Sequence, residues 1–155
     1  PLVHARLGIA RENSGKLVSV VRREARRILE KTGRSLLLVD GPPGIGCPVI
    51  ASVTGASLVL VVAEPTVSGE HDIKRVFSLT RHFRVSAAVC VNKWDLNPQI
   101  AERIEHASRQ LGAQVVSRIR YDPAVTAAQI EGKTVIETDA PCAEDIKRLW
   151  QELGM

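Results

Sequence analysis

The chain has 155 residues, 45% of them hydrophobic and 25% charged, a size and composition that suit one globular domain with a real core. Aromatic residues make up only 3%, so that core must be aliphatic. Cys47, Cys90 and Cys142 lie far apart with no CxxC pair, so no zinc or iron–sulfur ligand set can be read in this sequence.

The sparse cysteines fit a reducing cytosol, so a cytoplasmic location is expected. No apolar run reaches the roughly 18 residues of a membrane span. The start, Pro-Leu-Val-His-Ala-Arg, has no signal-peptide pattern, and without Met it reads as the beginning of a cut piece of something longer. The net charge of +4 is uneven: residues 1–34 hold nine Lys/Arg against three Asp/Glu. A basic segment can bind nucleic acid, but a solvated helix face is the commoner reading. No helix-turn-helix or aromatic stacking pattern accompanies the Arg22–Arg27 cluster, so a nucleic-acid partner is not expected.

In chain order, Leu2–Leu7 can form an extra strand near a sheet edge. Residues 15–32 place Leu17, Val21, Ala25 and Ile28/Leu29 on one helix face, with Ser14 able to cap the start and Gly33 the end. Ser35–Val39 is a short apolar run ending at Asp40. Ser57–Ala63 is a second, Val85–Val91 a third and Gln114–Ile119 a shorter fourth. Such runs suit strands buried on both faces of a parallel sheet. Between them, residues 69–82 place Ile73, Val76, Phe77 and Thr80 together. Asn97-Pro98 opens a helix carrying Ile100, Ile104, Ala107 and Leu111, stopped by Gly112. A last helix over about 142–153 carries Ile146, Leu149, Trp150 and Leu153. The alternation predicts a three-layer α/β/α sandwich with a mostly parallel sheet, as a single domain over residues 1–155. Right-handed crossovers would line the strand ends and their loops along one edge, where ligands bind.

Four constellations fall on that edge. Leu37-Leu38-Val39-Asp40-Gly41-Pro42-Pro43-Gly44-Ile45-Gly46 delivers an Asp from a strand into a Gly/Pro loop. Asp40 can hold magnesium-bound water, and the glycines let backbone N–H groups approach a γ-phosphate. The same residues also suit a plain strand-to-helix turn. Val91-Asn92-Lys93-Trp94-Asp95 has the Asn-Lys-x-Asp form that reads a base in many GTPases, or it is a polar loop before a helix. Ile119-Arg120-Tyr121-Asp122-Pro123 could cover a base, cap a helix, or do both. Ala63-Glu64-Pro65-Thr66-Val67-Ser68-Gly69 could touch nucleotide or a partner subunit, though a capped helix start is the simpler reading. His4, His71, His82 and His106 have no ligand spacing. Trp94 and Trp150 read as packing anchors, and no base stands near Cys47 in sequence to make it a catalytic thiol.

Together these strings resemble the MinD/ParA branch of P-loop ATPases, and most closely the subgroup with an inserted ferredoxin domain that carries two four-iron clusters. DGPPGIGCPVIAS resembles that subgroup's Walker B and switch II region, with the Asp-x-x-Pro-Gly spacing at Asp40, Pro43 and Gly44. EPTVSGEHD resembles the segment after the next strand. VNKWDLN and RIRYDPAV resemble base-binding loops. HARLGIARENSGKLVSVVR resembles the stretch that follows the ferredoxin insertion. The motifs run in the family's order from His4 to about Glu137, so the chain resembles the carboxy-terminal portion of such a nucleotide-binding domain.

The resemblance implies ATP and magnesium as ligands of the intact protein. It assigns Asp40 to catalysis and to magnesium through water, and Pro43, Gly44, Gly46, Asn92, Lys93, Asp95, Tyr121 and Asp122 to nucleotide. It implies a dimer or an upstream phosphate-loop segment as partner, a protein partner for the switch, and hydrolysis linked to iron–sulfur or metallocluster handling. The Gly-Lys-Gly-Gly-x-Gly-Lys-Thr loop itself is not in this sequence, nor are the family's signature lysine, the switch I aspartate and the ferredoxin cysteines. This chain alone is therefore expected to bind nucleotide weakly and hydrolyse none. The alternatives are a non-catalytic module that docks on a phosphate-loop partner, and a GTP-binding relative. In P-loop folds the strand that enters the phosphate loop lies between the strands matching 35–40 and 57–63. Here those two are expected either to pair directly or to leave a slot that another chain fills.

Overall fold

The computed structural model describes residues 1–5 and 15–154, without the side chains of residues 114–116. Helix α1 (Gly15–Thr32) and helix α2 (Cys47–Val53) precede strand β1 (Leu58–Ala63). Then come helix α3 (Val67–His82), strand β2 (Ser86–Asn92), helix α4 (Pro98–Gln110) and strand β3 (Gln114–Ile119). Helices α5 (Ala124–Ile130) and α6 (Pro141–Glu152) complete the chain. Residues 1–5 carry no strand; the rest of the expected Leu2–Leu7 strand, and the Ser14 cap, lie outside the described residues.

The three strands form one parallel sheet in the order β1-β2-β3, with Leu58 opposite Ser86 and Ala88 opposite Gln114. Two right-handed crossovers that advance in the same direction put their helices on the same face. Accordingly Ala63, Val89 and Val91 pack with Ile73 and Phe77 of α3 and with Ala101 and Ile104 of α4. The alternate residues Leu58, Leu60, Ala88, Cys90 and Ile119 face Leu149 and Leu153 of α6. This is the period of two that a strand imposes, and it makes the domain three layers deep. Val89, Val91 and Ile104 are wholly buried, each stabilising by roughly 1.5–3 kcal/mol.

Caps set the helix starts. Thr66 Oγ1 accepts from the Gly69 N–H at 3.0 Å, and Asn97 Oδ1 from the Ile100 N–H at 3.2 Å. At Gly69 an added Cβ would lie 2.4 Å from the Glu64 carbonyl oxygen, so the first turn of α3 closes on the end of β1 only because no side chain stands there.

Helix α1 packs on α2 rather than on the sheet face, and none of its residues is fully buried. Arg22 donates to the carbonyls of Ala51 and Thr54, and Arg26 to that of Gly55. These are among the orphan acceptors at the end of α2, where the helix dipole favours a cation. Burial, then the Arg26 charge, lowers the Arg22 pKa. Arg27 pairs with Glu24. Much of the basic cluster is thus occupied in intramolecular bonds.

One expected strand does not form. Residues 34–42 have no regular structure, and Leu36, Leu38 and Val39 are exposed, Leu38 at 75%. Ser35–Val39 therefore does not pair with β1, and of the two expected outcomes direct pairing of these segments does not occur. The reason is cooperative: an extended segment becomes a strand only where a neighbour takes its N–H and C=O groups, and the described residues place none beside it.

Candidate functional site

The carboxyl ends of β1, β2 and β3 bring together the loops that begin at Glu64, Lys93 and Arg120. Glu64 Oε1 accepts from Lys93 Nζ at 2.6 Å, joining the ends of β1 and β2. That bond raises the Lys93 pKa. The Lys93 backbone is left-handed, with φ at 55°, and it starts the 3-10 turn Trp94–Leu96. Trp94 packs against the α3–α4 core, with the Arg118 guanidinium 5.0 Å from its ring centre. Arg118 in turn pairs with the buried Glu105, whose carboxylate raises the Arg118 pKa.

The β2 and β3 loops are joined by Asp95, whose Oδ1 accepts from the Tyr121 N–H at 2.7 Å. Arg120 is anchored from the other side. Asp145 on α6, only 3% exposed, accepts from the Arg120 N–H at 3.1 Å, from Nε at 2.6 Å and from a terminal guanidinium nitrogen at 2.9 Å. This bidentate bond holds the Asp145 carboxyl below the usual carboxylate range. Asp122 accepts from the Ala124 N–H at 2.9 Å and, more distantly, from the Cys142 N–H at 3.4 Å. The first of these bonds is the main cause of its lowered pKa. Asn92 ends β2 half-buried, and its amide makes no hydrogen bond among the described residues.

The structure thus assembles Asn92, Lys93, Asp95, Tyr121 and Asp122 at one end of the sheet. Asp40, Pro43, Gly44 and Gly46 are not bonded to them. Those four lie between α1 and α2, and among the described residues no hydrogen bond or ion pair links the 34–46 segment to the β2 and β3 loops. Gly44 has φ at 90°, a conformation that suits glycine. The Gly46 carbonyl accepts the first bond of α2. Thr66 caps α3, the simpler of the two readings of the Glu64–Gly69 segment, while Glu64 itself reaches Lys93. Asp145 is a site residue that no motif marked, while Glu64 and Arg120 lie in marked strings that gave them no individual role. Asp145 had a signal: it shares a helix face with the apolar Cys142 and Leu149, and a carboxylate there needs a partner. Among the described residues no three His, Cys, Asp or Glu side chains converge as a metal site. No helix among them is long and apolar enough to cross a membrane.

Solved structures with the same arrangement include MinD proteins. The cell division ATPase MinD of Pyrococcus furiosus superposes with a TM-score of 0.71 at 17% identity, over 91% of this chain and 58% of that one. The MinD cell division protein of Aquifex aeolicus gives 0.72 at 23% identity, over 91% and 61%. The septum site-determining protein MinD of Pyrococcus horikoshii, complexed with Mg-ADP, gives 0.70 at 17%, over 90% and 56%. The chain has the MinD fold.

It spans well under two thirds of those MinD chains. An uncharacterized protein of Methanocaldococcus jannaschii is 32% identical over 97 residues, which are 63% of this chain and 34% of that protein. No protein-family model matches. Among the described residues the sheet is three strands wide.

Proposed function

We propose that this chain supplies the base side and the switch side of a nucleotide-dependent ATPase site, with the phosphate loop contributed by residues outside it. The observation that carries this reading is the convergence of Asn92, Lys93, Asp95, Tyr121 and Asp122 at the carboxyl end of a parallel sheet with the MinD fold, where ligands of open α/β sheets sit. Among the described residues the Asn92 side-chain amide makes no hydrogen bond, which leaves it able to meet a base. The 40–46 segment is the switch: Asp40 would orient magnesium-bound water, and Pro43, Gly44 and Gly46 would present backbone to the γ-phosphate.

As it stands, the donor set does not make a magnesium site. Asp40 is exposed, and no cluster of ligating side chains surrounds it among the described residues. A magnesium ion would need phosphate oxygens and donors from elsewhere. Iron–sulfur or metallocluster handling by the whole protein rests on the sequence resemblance alone. A MinD of Pyrococcus horikoshii holds Mg-ADP and one of Aquifex aeolicus is found with MinC, which supports ATP as the ligand class and a protein as the switch's partner.

The test is equilibrium binding of a fluorescent adenosine diphosphate to the full chain and to its Asn92→Ala variant. Weak saturable binding, at least tenfold weaker in the variant, is expected, with no ATP turnover. Identical binding by both proteins, or robust turnover by the chain alone, would refute the assignment.

A second reading, a non-catalytic module that docks on a phosphate-loop partner, is favoured by one observation. The unpaired run Leu36, Leu38 and Val39 and the outer edge of β1 are strand-pairing surfaces without a neighbour among the described residues.

A further inference from the structure

Asn-Lys-x-Asp suggests a carboxylate that reads guanine. In such reading, one carboxylate oxygen accepts from the ring N1–H and the other from the exocyclic amine. The contacts of Asp95 point elsewhere. Its Oδ1 is already 2.7 Å from the Tyr121 N–H, so one of the carboxylate's acceptor positions, on the oxygen that would face a base donor, is held by the backbone of the β3 loop. That backbone is not free to withdraw. Its neighbour Arg120 is held through both main chain and guanidinium by Asp145, a carboxylate 3% exposed on α6. On the far side, Asp122 is bonded to the Ala124 and Cys142 N–H groups. Swinging residues 120–122 off Asp95 would break charge-assisted bonds and leave the buried Asp145 with only the more distant Arg148, at 3.8 Å, as its cation, which is costly.

We infer that Asp95 is a positioning residue that, with Asp145, clamps the 120–122 loop over the end of β2, and that it does not read the base. This rests on the nucleotide reading above for its consequence, though not for its geometry. It leaves base contact to Asn92 and to the backbone of the clamped loop.

Two readouts on the full chain separate the possibilities. The first is base preference, using fluorescent adenosine, guanosine and xanthosine diphosphates. Asn in place of Asp swaps one acceptor for an N–H donor, which would complement the C2 carbonyl of xanthine instead of the C2 amine of guanine. If Asp95 is a clamp, Asp95→Asn changes the ranking of the three nucleotides by less than about threefold. A tenfold gain for xanthosine at the expense of guanosine overturns the inference.

The second is amide hydrogen exchange. Asp95→Ala and Asp145→Asn should each speed exchange at Tyr121 at least tenfold, with Val89–Val91 unchanged. Unchanged exchange at Tyr121, or acceleration that spreads through β2, overturns it. Arg120→Lys, which keeps the charge and the fold but not the two-pronged bond, should give a smaller acceleration at the same amide; no acceleration counts against the clamp. If the wild-type chain binds none of the three nucleotides, the nucleotide reading falls and exchange at Tyr121 alone decides the clamp.

Discussion

Replacing Gly69 by Ala sets two known effects against each other at one atom. Gly69 lies in the first turn of α3, where Ala is favoured over Gly by about 1 kcal/mol in a helix interior. Against this, the new Cβ would stand 2.4 Å from the Glu64 carbonyl oxygen and 3.2 Å from Thr66 Oγ1. The nearer obstacle is backbone, which cannot rotate away as a side chain can. Forcing a methyl group into a filled space costs typically 1–3 kcal/mol, and the propensity gain is smaller at a first turn than in mid-helix, so the clash should win. A net loss of about 1–2 kcal/mol is expected. With a urea m-value of about 2 kcal/mol/M, that is a fall of roughly 0.5–1 M in the unfolding midpoint. The displaced Glu64 should also release Lys93, so the variant should bind nucleotide less well than its stability loss explains. Urea titration followed by circular dichroism measures the first effect. A midpoint equal to or above that of the wild type would show that the β1–α3 turn is not packed as described.

Three further outcomes are expected. Arg22→Met keeps an apolar stem but leaves the Ala51 and Thr54 carbonyls without their charged donor; a loss of about 1–3 kcal/mol and faster exchange in α1 should follow, seen by exchange mass spectrometry. Asp145 and Asp122 have folded-state pKa values below their unfolded ones. Their contribution is therefore present above about pH 4 and lost as pH falls through the folded values, so urea midpoints should drop in acid and drop less steeply in Asp145→Asn. With an aromatic disulfide reagent at pH 8, exposed Cys47 should react fast. Cys90, whose thiol burial pushes up to about 12, and buried Cys142 should react only on unfolding.

The sheet was legible wherever a strand has neighbours on both faces. The runs 57–63, 85–91 and 114–119 became β1, β2 and β3 within a residue, because burial on two faces selects unbroken apolar residues. Ser35–Val39 has the same pattern and is not a strand, since pairing is a property of the neighbour as much as of the segment. Helix α2 escaped notice because seven residues are too few to show a period. In the site, the β2 and β3 loops were legible from their motifs. The bonds that arrange them were not, because Glu64 and Lys93, or Arg120 and Asp145, lie 29 and 25 residues apart and no local pattern couples them. The role of Asp95 shows the limit most clearly: four letters named a base reader, and one backbone N–H points to a clamp.

The order β1-β2-β3 also bears on how the chain folds. Each strand pairs with the next one made, Leu58 with Ser86 and Ala88 with Gln114, so every pairing closes a loop of fewer than thirty residues. Short closures of this kind lose little chain entropy and favour rapid folding for a parallel sheet, which is otherwise slow. Synthesis from the amino terminus would add each strand to the finished edge of the one before. The sheet from Leu58 onward could then form without waiting for the α1–α2 pair, leaving the outer edge of β1 as the last surface to be satisfied.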